Sequence, residues 1–187
     1  MSEKTLITPD FRGAYVQVMR PKAQKQEDGS MGAAKYSIRA AFPPEADLSL
    51  MKAAAAQAAT DKWGDKVPKT IRSPFRLNEE LDTPVSGLDD DWTIMTFSAP
   101  DTSRPGLVDN KNQDIIDETE VYSGAWFRAQ VNCSWYDKSG NKGVGFYLNN
   151  AQKTRDDEPL GGSRVPASKA FEAFGAPAGK SANSLFD

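Results

Sequence analysis

The 187-residue chain has no histidine and a single cysteine, Cys133. Without histidine it lacks the commonest general base and the commonest zinc ligand. One thiol cannot form an internal disulfide, and with no imidazole beside it a structural zinc site has no ligand set. Ser134 and Ser139 have no histidine to activate them, which removes a hydrolase triad. Any catalysis would have to rest on Asp, Glu, Lys, Tyr or Ser. Long apolar runs are also missing: nothing approaches the roughly 18 residues of a membrane span. The N-terminal MSEKTLITPD has no apolar signal region, so the expectation is a cytoplasmic protein. Neither a membrane partner nor a cofactor is expected.

What is present is a globular composition, 39% hydrophobic and 10% aromatic, with enough length for a single core. The net charge of −3 conceals an asymmetry. Residues 1–76 carry 13 Lys/Arg against 8 Asp/Glu, residues 77–120 carry 2 against 12, and residues 123–155 carry 5 against 1. The basic blocks coincide with strand-like sequence and the acidic block with loop-like sequence. The local field, more than the total charge, decides which partners approach.

Hydrophobic alternation predicts a first strand over 12–20, with Ala14, Val16 and Val18 facing in and Tyr15, Gln17 and Met19 facing out. A second strand spans 35–42, with Tyr36, Ile38, Ala40 and Phe42 inward and Lys35, Ser37 and Arg39 outward. The Ala-rich stretch from Glu45 to Trp63 reads as the one helix, with Glu45 and Asp47 in its first turn and Gly64 just past its end. Residues 68–84 read as irregular, 92–98 as a strand and 99–109 as a loop. A long strand over 121–136 is followed by a turn at 137–141 and a returning strand over 144–150. From Pro166 onward Ala, Gly, Ser and Pro dominate, as in a flexible tail. The expected architecture is mainly β: an OB-fold-like, five-stranded, partly open barrel with one α-helix. It is assigned to residues 1–165, followed by a tail over 166–187.

The long strand carries the functional reading. Ser123, Ala125, Phe127, Ala129, Val131, Cys133 and Trp135 form one face; Trp126, Arg128 and Tyr136 stand among amides on the other. Together with outward Tyr15, Lys35, Arg39 and Tyr147, and with Lys142, Lys153 and Arg155 close by, this gives aromatic and cationic side chains with no glutamate among them. Aromatic faces stack unpaired bases and Lys/Arg neutralise phosphates. A plain amphipathic strand whose aromatics lie under a loop would give the same pattern. Two other functions stay open: a metal-dependent nuclease using carboxylates among 101–120 (Asp101, Asp109, Asp114, Asp117, Glu118, Glu120), and a protein-binding replication accessory factor.

Residues 124–162, GAWFRAQVNCSWYDKSGNKGVGFYLNNAQKTRDDEPLGG, resemble the C-terminal block of a phage protein family. That family was long classed as a domain of unknown function and is now regarded as OB-fold single-stranded DNA-binding proteins. LNNAQKTRDDEPLGG is the most specific part, and SRPGLVD at 103–109 fits the same pattern, which adds Arg104 to the candidate DNA contacts. The resemblance spans about residues 10–165. It implies a non-enzymatic protein that coats single-stranded DNA in phage replication or recombination, in the host cytoplasm, with a possible homo-oligomer on DNA. Polymerase, helicase or nuclease partners are expected at the tail, whose end Leu185-Phe186-Asp187 is the candidate docking motif. Such families often end in an acidic tail. Here residues 165–187 hold only Glu172 and Asp187 against Lys169 and Lys180.

Overall fold

The computed structural model of the protein describes residues 5–26 and 28–161, together with Phe171 and Phe174. The tail expected over 166–187, with Leu185, Phe186 and Asp187, otherwise lies outside the described residues. In chain order the elements are β1 (Thr5–Ile7), β2 (Phe11–Lys22), β3 (Lys35–Phe42), α1 (Ser49–Trp63), β4 (Arg76–Leu77), β5 (Thr93–Pro100), β6 (Gly106–Val108), β7 (Trp126–Lys138) and β8 (Asn141–Arg155). β2 pairs with β3, β3 with β5, β5 with β8, β8 with β7, and β7 with β2. Five strands therefore close a ring, with β5 and β8 parallel and the other neighbours antiparallel. Two seams of the ring are short, since β2–β7 and β5–β8 rest on two residue pairs each. β1, β4 and β6 are added to β7, β5 and β8 at the margins. The three extra strands have only two or three residues each, too few for an alternating pattern to register in sequence.

The ring closes over Phe11, Ile38, Phe42, Phe97 and Phe127, all 0% exposed. Phe11 meets Phe42 and Phe97 edge-on, at centroid separations of 5.4 and 5.7 Å, and stacks on Phe127 at 6.3 Å. The alternation of β7 holds from Phe127 to Cys133, and β3 presents the inward set read from its sequence. Burial pushes the Cys133 thiol up to about 11, so at neutral pH it is a packed apolar group and a poor nucleophile.

β2 keeps its expected phase at Val16 and Val18 and departs from it before them, at Ala14. Tyr15 takes φ +47°, and the register with β3 shifts between Ala14 and Gln17. One extra residue in a bulge moves every later side chain to the other face. Phe11 and Val18 enter the main core, while Ala14 joins a second cluster with Ala41, Val85 and Ile94 on the outside of the ring. The cover over this second cluster comes from residues 78–92. Buried Asn78 pins it, accepting from the Val85 N–H at 2.7 Å and donating to the carbonyls of Val85, Leu88 and Asp89.

The helix begins at Ser49, four residues later than the sequence suggests. Asp47 does not lie in its first turn; its carboxylate accepts from the Ser49 N–H at 3.0 Å. Gly64 follows the helix at φ +57° and donates its N–H to the Thr60 carbonyl. The helix buries Met51, Ala54, Ala55, Ala58 and Ala59, the stripe at spacings of three and four that a core-facing helix needs. β7 and β8 are joined by a turn at Ser139 and Gly140, both at positive φ, within the stretch expected to turn.

Candidate nucleic-acid interface

The outer face of β3, β5 and β8 bears no carboxylate. Its outward positions are Lys35, Ser37, Arg39 and Ala41 on β3; Ile94, Thr96, Ser98 and Pro100 on β5; and Gly143, Gly145, Tyr147 and Asn149 on β8. The register aligns Ser37 with Ser98 and Ser98 with Tyr147, and Arg39 with Thr96. Across the β2 edge, the Arg39 guanidinium sits over the Tyr15 ring, 4.8 Å from its centroid. The bulge that spoils the phase of β2 is what turns Tyr15 to this position, where it is 51% exposed. Tyr147 is 40% exposed. Its hydroxyl pKa is raised, first by burial and then by the neighbouring Tyr136 and Cys133, so it stays a neutral hydrogen-bonding phenol at ordinary pH. Tyr136 lies flat across Gly143, where any Cβ would collide with the phenol. Lys35 stands at the end of this face opposite Pro100, and Arg104 is exposed in the turn that leaves Pro100.

The remaining candidates lie elsewhere. Lys142 shares the side of Val144 and Trp135 rather than that of Tyr147, and its ammonium is 3.9 Å from the Asp137 carboxylate. The Lys153 side chain is only 11% exposed, 2.6 Å from Asp156 and over the Tyr122 ring, so it is spent within the fold. Arg128 is exposed, with Nε donating to Gln152 at 2.6 Å. Trp126 does not stand free on the surface as the alternation suggested. Trp92 approaches one side at a centroid distance of 6.1 Å, the Arg155 guanidinium lies 4.0 Å from its ring, and its indole N–H donates to Asp157 at 2.8 Å.

The end of the LNNAQKTRDDEPLGG run, the most specific part of the sequence, thus has a structural role. Residues 156–160 form a strap over the start of β7. Arg12 donates to the carbonyls of Gly124 and Glu158 and pairs with Asp157. The Tyr122 hydroxyl bonds Asp156, and the Leu160 N–H donates to Ser123. Gly124, at φ +118°, lets the strap lie against the backbone. The Trp126 hydrogen bond, then the Glu158 N–H, hold the Asp157 carboxyl below its ordinary 3.8. A depressed carboxylate stabilises above its unfolded-state pKa, so this contribution is intact at neutral pH and is lost only as acid takes the pH below that value.

In the acidic stretch the carboxylates serve their own turns. Asp109 accepts from the N–H groups of Lys111 and Gln113, and Asp117 from the N–H and hydroxyl of Thr119. Among the described residues no three His, Cys, Asp or Glu side chains converge as metal ligands would. No described helix is long and apolar enough to cross a membrane. Sequence reasoning missed Thr96 and Ser98 on the outward face. It also left Arg72 in an irregular stretch, although its N–H bonds the Lys142 carbonyl at 2.8 Å and places it on the β8 edge. Only the strand register reveals these positions.

A family model described as the ssDNA-binding protein of Enterobacter phage Enc34 matches residues 4–182. Among solved structures, the single-stranded DNA-binding protein from bacteriophage Enc34 is similar at 18% identity and TM-score 0.65, over 91% of this chain and 92% of that one. A second structure of that protein, in complex with ssDNA, is similar at 18% identity and TM-score 0.67, over 84% and 90%. gp2.5, a single-stranded DNA-binding protein encoded by bacteriophage T7, follows at 13% identity and TM-score 0.63, over 95% and 100%. Identities this low speak for a shared fold. Among curated proteins there is no match.

Proposed function

The chain belongs to the family of the ssDNA-binding protein of Enterobacter phage Enc34, and from that premise we propose that it holds single-stranded DNA on the outward face of β3, β5 and β8. The observation that carries this reading is the carboxylate-free face on which Arg39 and Tyr15 stand across from Thr96, Ser98 and Tyr147. Tyr15, Tyr147 and Tyr136 offer stacking surfaces, while Lys35, Arg39 and Arg104 meet phosphates. Arg128 and Arg155 are exposed further along the surface. The role is binding, with no reaction and no cofactor. Duplex DNA hides its base faces, so stacking favours single strands.

Tyr147→Ala is expected to weaken single-strand affinity by about 1–3 kcal/mol, while Tyr147→Phe retains most of it. Fluorescence anisotropy on an oligothymidylate measures both. Unchanged affinity in the alanine variant would remove this face from the site. Each phosphate neutralised adds about −0.7 to the slope of log K against log salt, so Lys35→Ala should flatten that slope by about one such step.

Coating of phage DNA during replication or recombination in the host cytoplasm, self-association along the strand, and docking of a polymerase, helicase or nuclease by Leu185-Phe186-Asp187 complete the proposal. The tail beyond 165 carries balanced charge and so competes little with DNA. Deleting 166–187 should abolish capture of such a partner while changing single-strand affinity by less than about tenfold. A large gain in DNA affinity would instead show the tail occupying the site.

A further inference from the structure

A cavity of about 280 Å³ opens on the outer side of β7 and β8, toward the end away from their hairpin turn. Its floor is the β7–β8 ladder at Ala129 and Ala151, and its walls are Ile7 of β1 and Val108 of β6. Register sets this shape, because Ile7 pairs with Gln130 and Val108 with Gln152 on the two flanks of the same ladder. Three strand spacings put the walls roughly 14 Å apart. Ile7 is left 54% exposed, an unusual position for isoleucine on a short marginal strand.

Hydrogen bonds along the cavity already orient its polar groups. Gln152 is fully used: its Oε1 accepts from Arg128 Nε at 2.6 Å, and its Nε2 donates to the Asp109 carbonyl and to Asn112 Oδ1. Asn150 donates to Gln130 Oε1 at 2.6 Å, and its own oxygen lies against Gly106, where no side chain intervenes. Among the described residues the two terminal guanidinium nitrogens of Arg128 and the amide nitrogens of Gln130 and Asn112 have no partner, and neither does the Asn150 oxygen. The guanidinium is held by its Nε bond to Gln152 and lines the cavity together with Ile7 and Val108.

We infer that this cavity binds a single nucleobase of the DNA strand, and that Arg128 and Gln130 make it prefer guanine. A guanidinium fork selects two acceptors side by side, and guanine offers N7 and O6 in that arrangement. A phosphate would also accept from Arg128 but would leave Ile7 and Val108 in contact with water, whereas a flat base covers them. The volume lies just below the roughly 300 Å³ at which sites for larger small molecules begin, which suits one base. The assignment rests on the proposed single-strand binding and adds a base preference to it.

The test compares an oligothymidylate with the same oligonucleotide bearing one guanine, and with versions bearing one 7-deazaguanine or one cytosine. The single guanine should tighten binding by about tenfold, and the 7-deaza base, which lacks N7, should lose most of that gain. Arg128→Lys keeps the charge but not the fork. It should abolish the preference and leave the salt slope on the oligothymidylate unchanged; Gln130→Ala should reduce the preference. Equal binding of all four oligonucleotides, an equal gain from cytosine, or a guanine preference that survives Arg128→Lys would overturn the assignment while leaving single-strand binding in place. Failure to bind any of them would overturn the proposed function as well.

Discussion

Truncating Phe127 to alanine is expected to lower stability by about 3–5 kcal/mol, the range for a large aromatic removed from a packed core. Phe127 is 0% exposed and stacks on Phe11, which in turn touches Phe42 and Phe97. Phe127 sits at the β2–β7 seam, paired directly with Phe11. Gly13 marks how closely this ring is packed: a Cβ there would come within 2.8 Å of two Phe127 ring carbons. Chemical denaturation with far-UV circular dichroism measures the loss. DNA affinity measured well below the melting temperature should change little, since Phe127 faces away from the proposed interface. A variant of wild-type stability that had lost DNA binding would show that the two faces of β7 are reversed.

The second large effect is expected at Gly124. Gly124→Ala should cost roughly 2–5 kcal/mol, combining about 1–2 for a side chain in the left-handed region with about 1–3 for overpacking. The residue sits at φ +118°, and an added Cβ would overlap the Glu158 carbonyl and stand 2.8 Å from Pro159 Cα and 2.9 Å from the Leu160 nitrogen. The strap must then lift, which breaks the Arg12–Glu158 and Leu160–Ser123 hydrogen bonds and uncovers Trp126. A lower melting temperature together with a red-shifted tryptophan emission is the expected signature. An unchanged melting temperature would show that the strap contributes nothing to the fold.

These two residues also illustrate what the sequence alone discloses. Phe127 belongs to a strand whose alternation is strict, so its burial follows from a period of two. The β7–β8 hairpin is legible for the same reason, and because Ser139-Gly140 suits a turn with two left-handed residues. The ring of five strands follows from those patterns and the turn signals between them. Trp126 sits one position earlier with the same apparent clarity, yet its surroundings come from Trp92 and Asp157, over thirty residues away in either direction. No local period encodes such contacts. Tyr15 was legible as outward, but the bulge it occupies resists reading for another reason: a tyrosine at positive φ carries none of the Gly or Asn signal that announces a bulge. Tyr147, Arg39 and Lys35 were visible as outward residues, but only the parallel pairing of β5 with β8 brings Tyr147 beside Ser98.

That same pairing has a mechanical consequence. The ring is fastened firmly along β2–β3–β5 and along β7–β8, and lightly at the two seams between them. By strand pairing it is therefore two leaves joined at two short seams. The proposed DNA path runs from Arg39 on one leaf to Tyr147 on the other and crosses the β5–β8 seam. A strand bound there acts as a stitch: whatever free energy it gains from touching both leaves is added to the closure of the barrel.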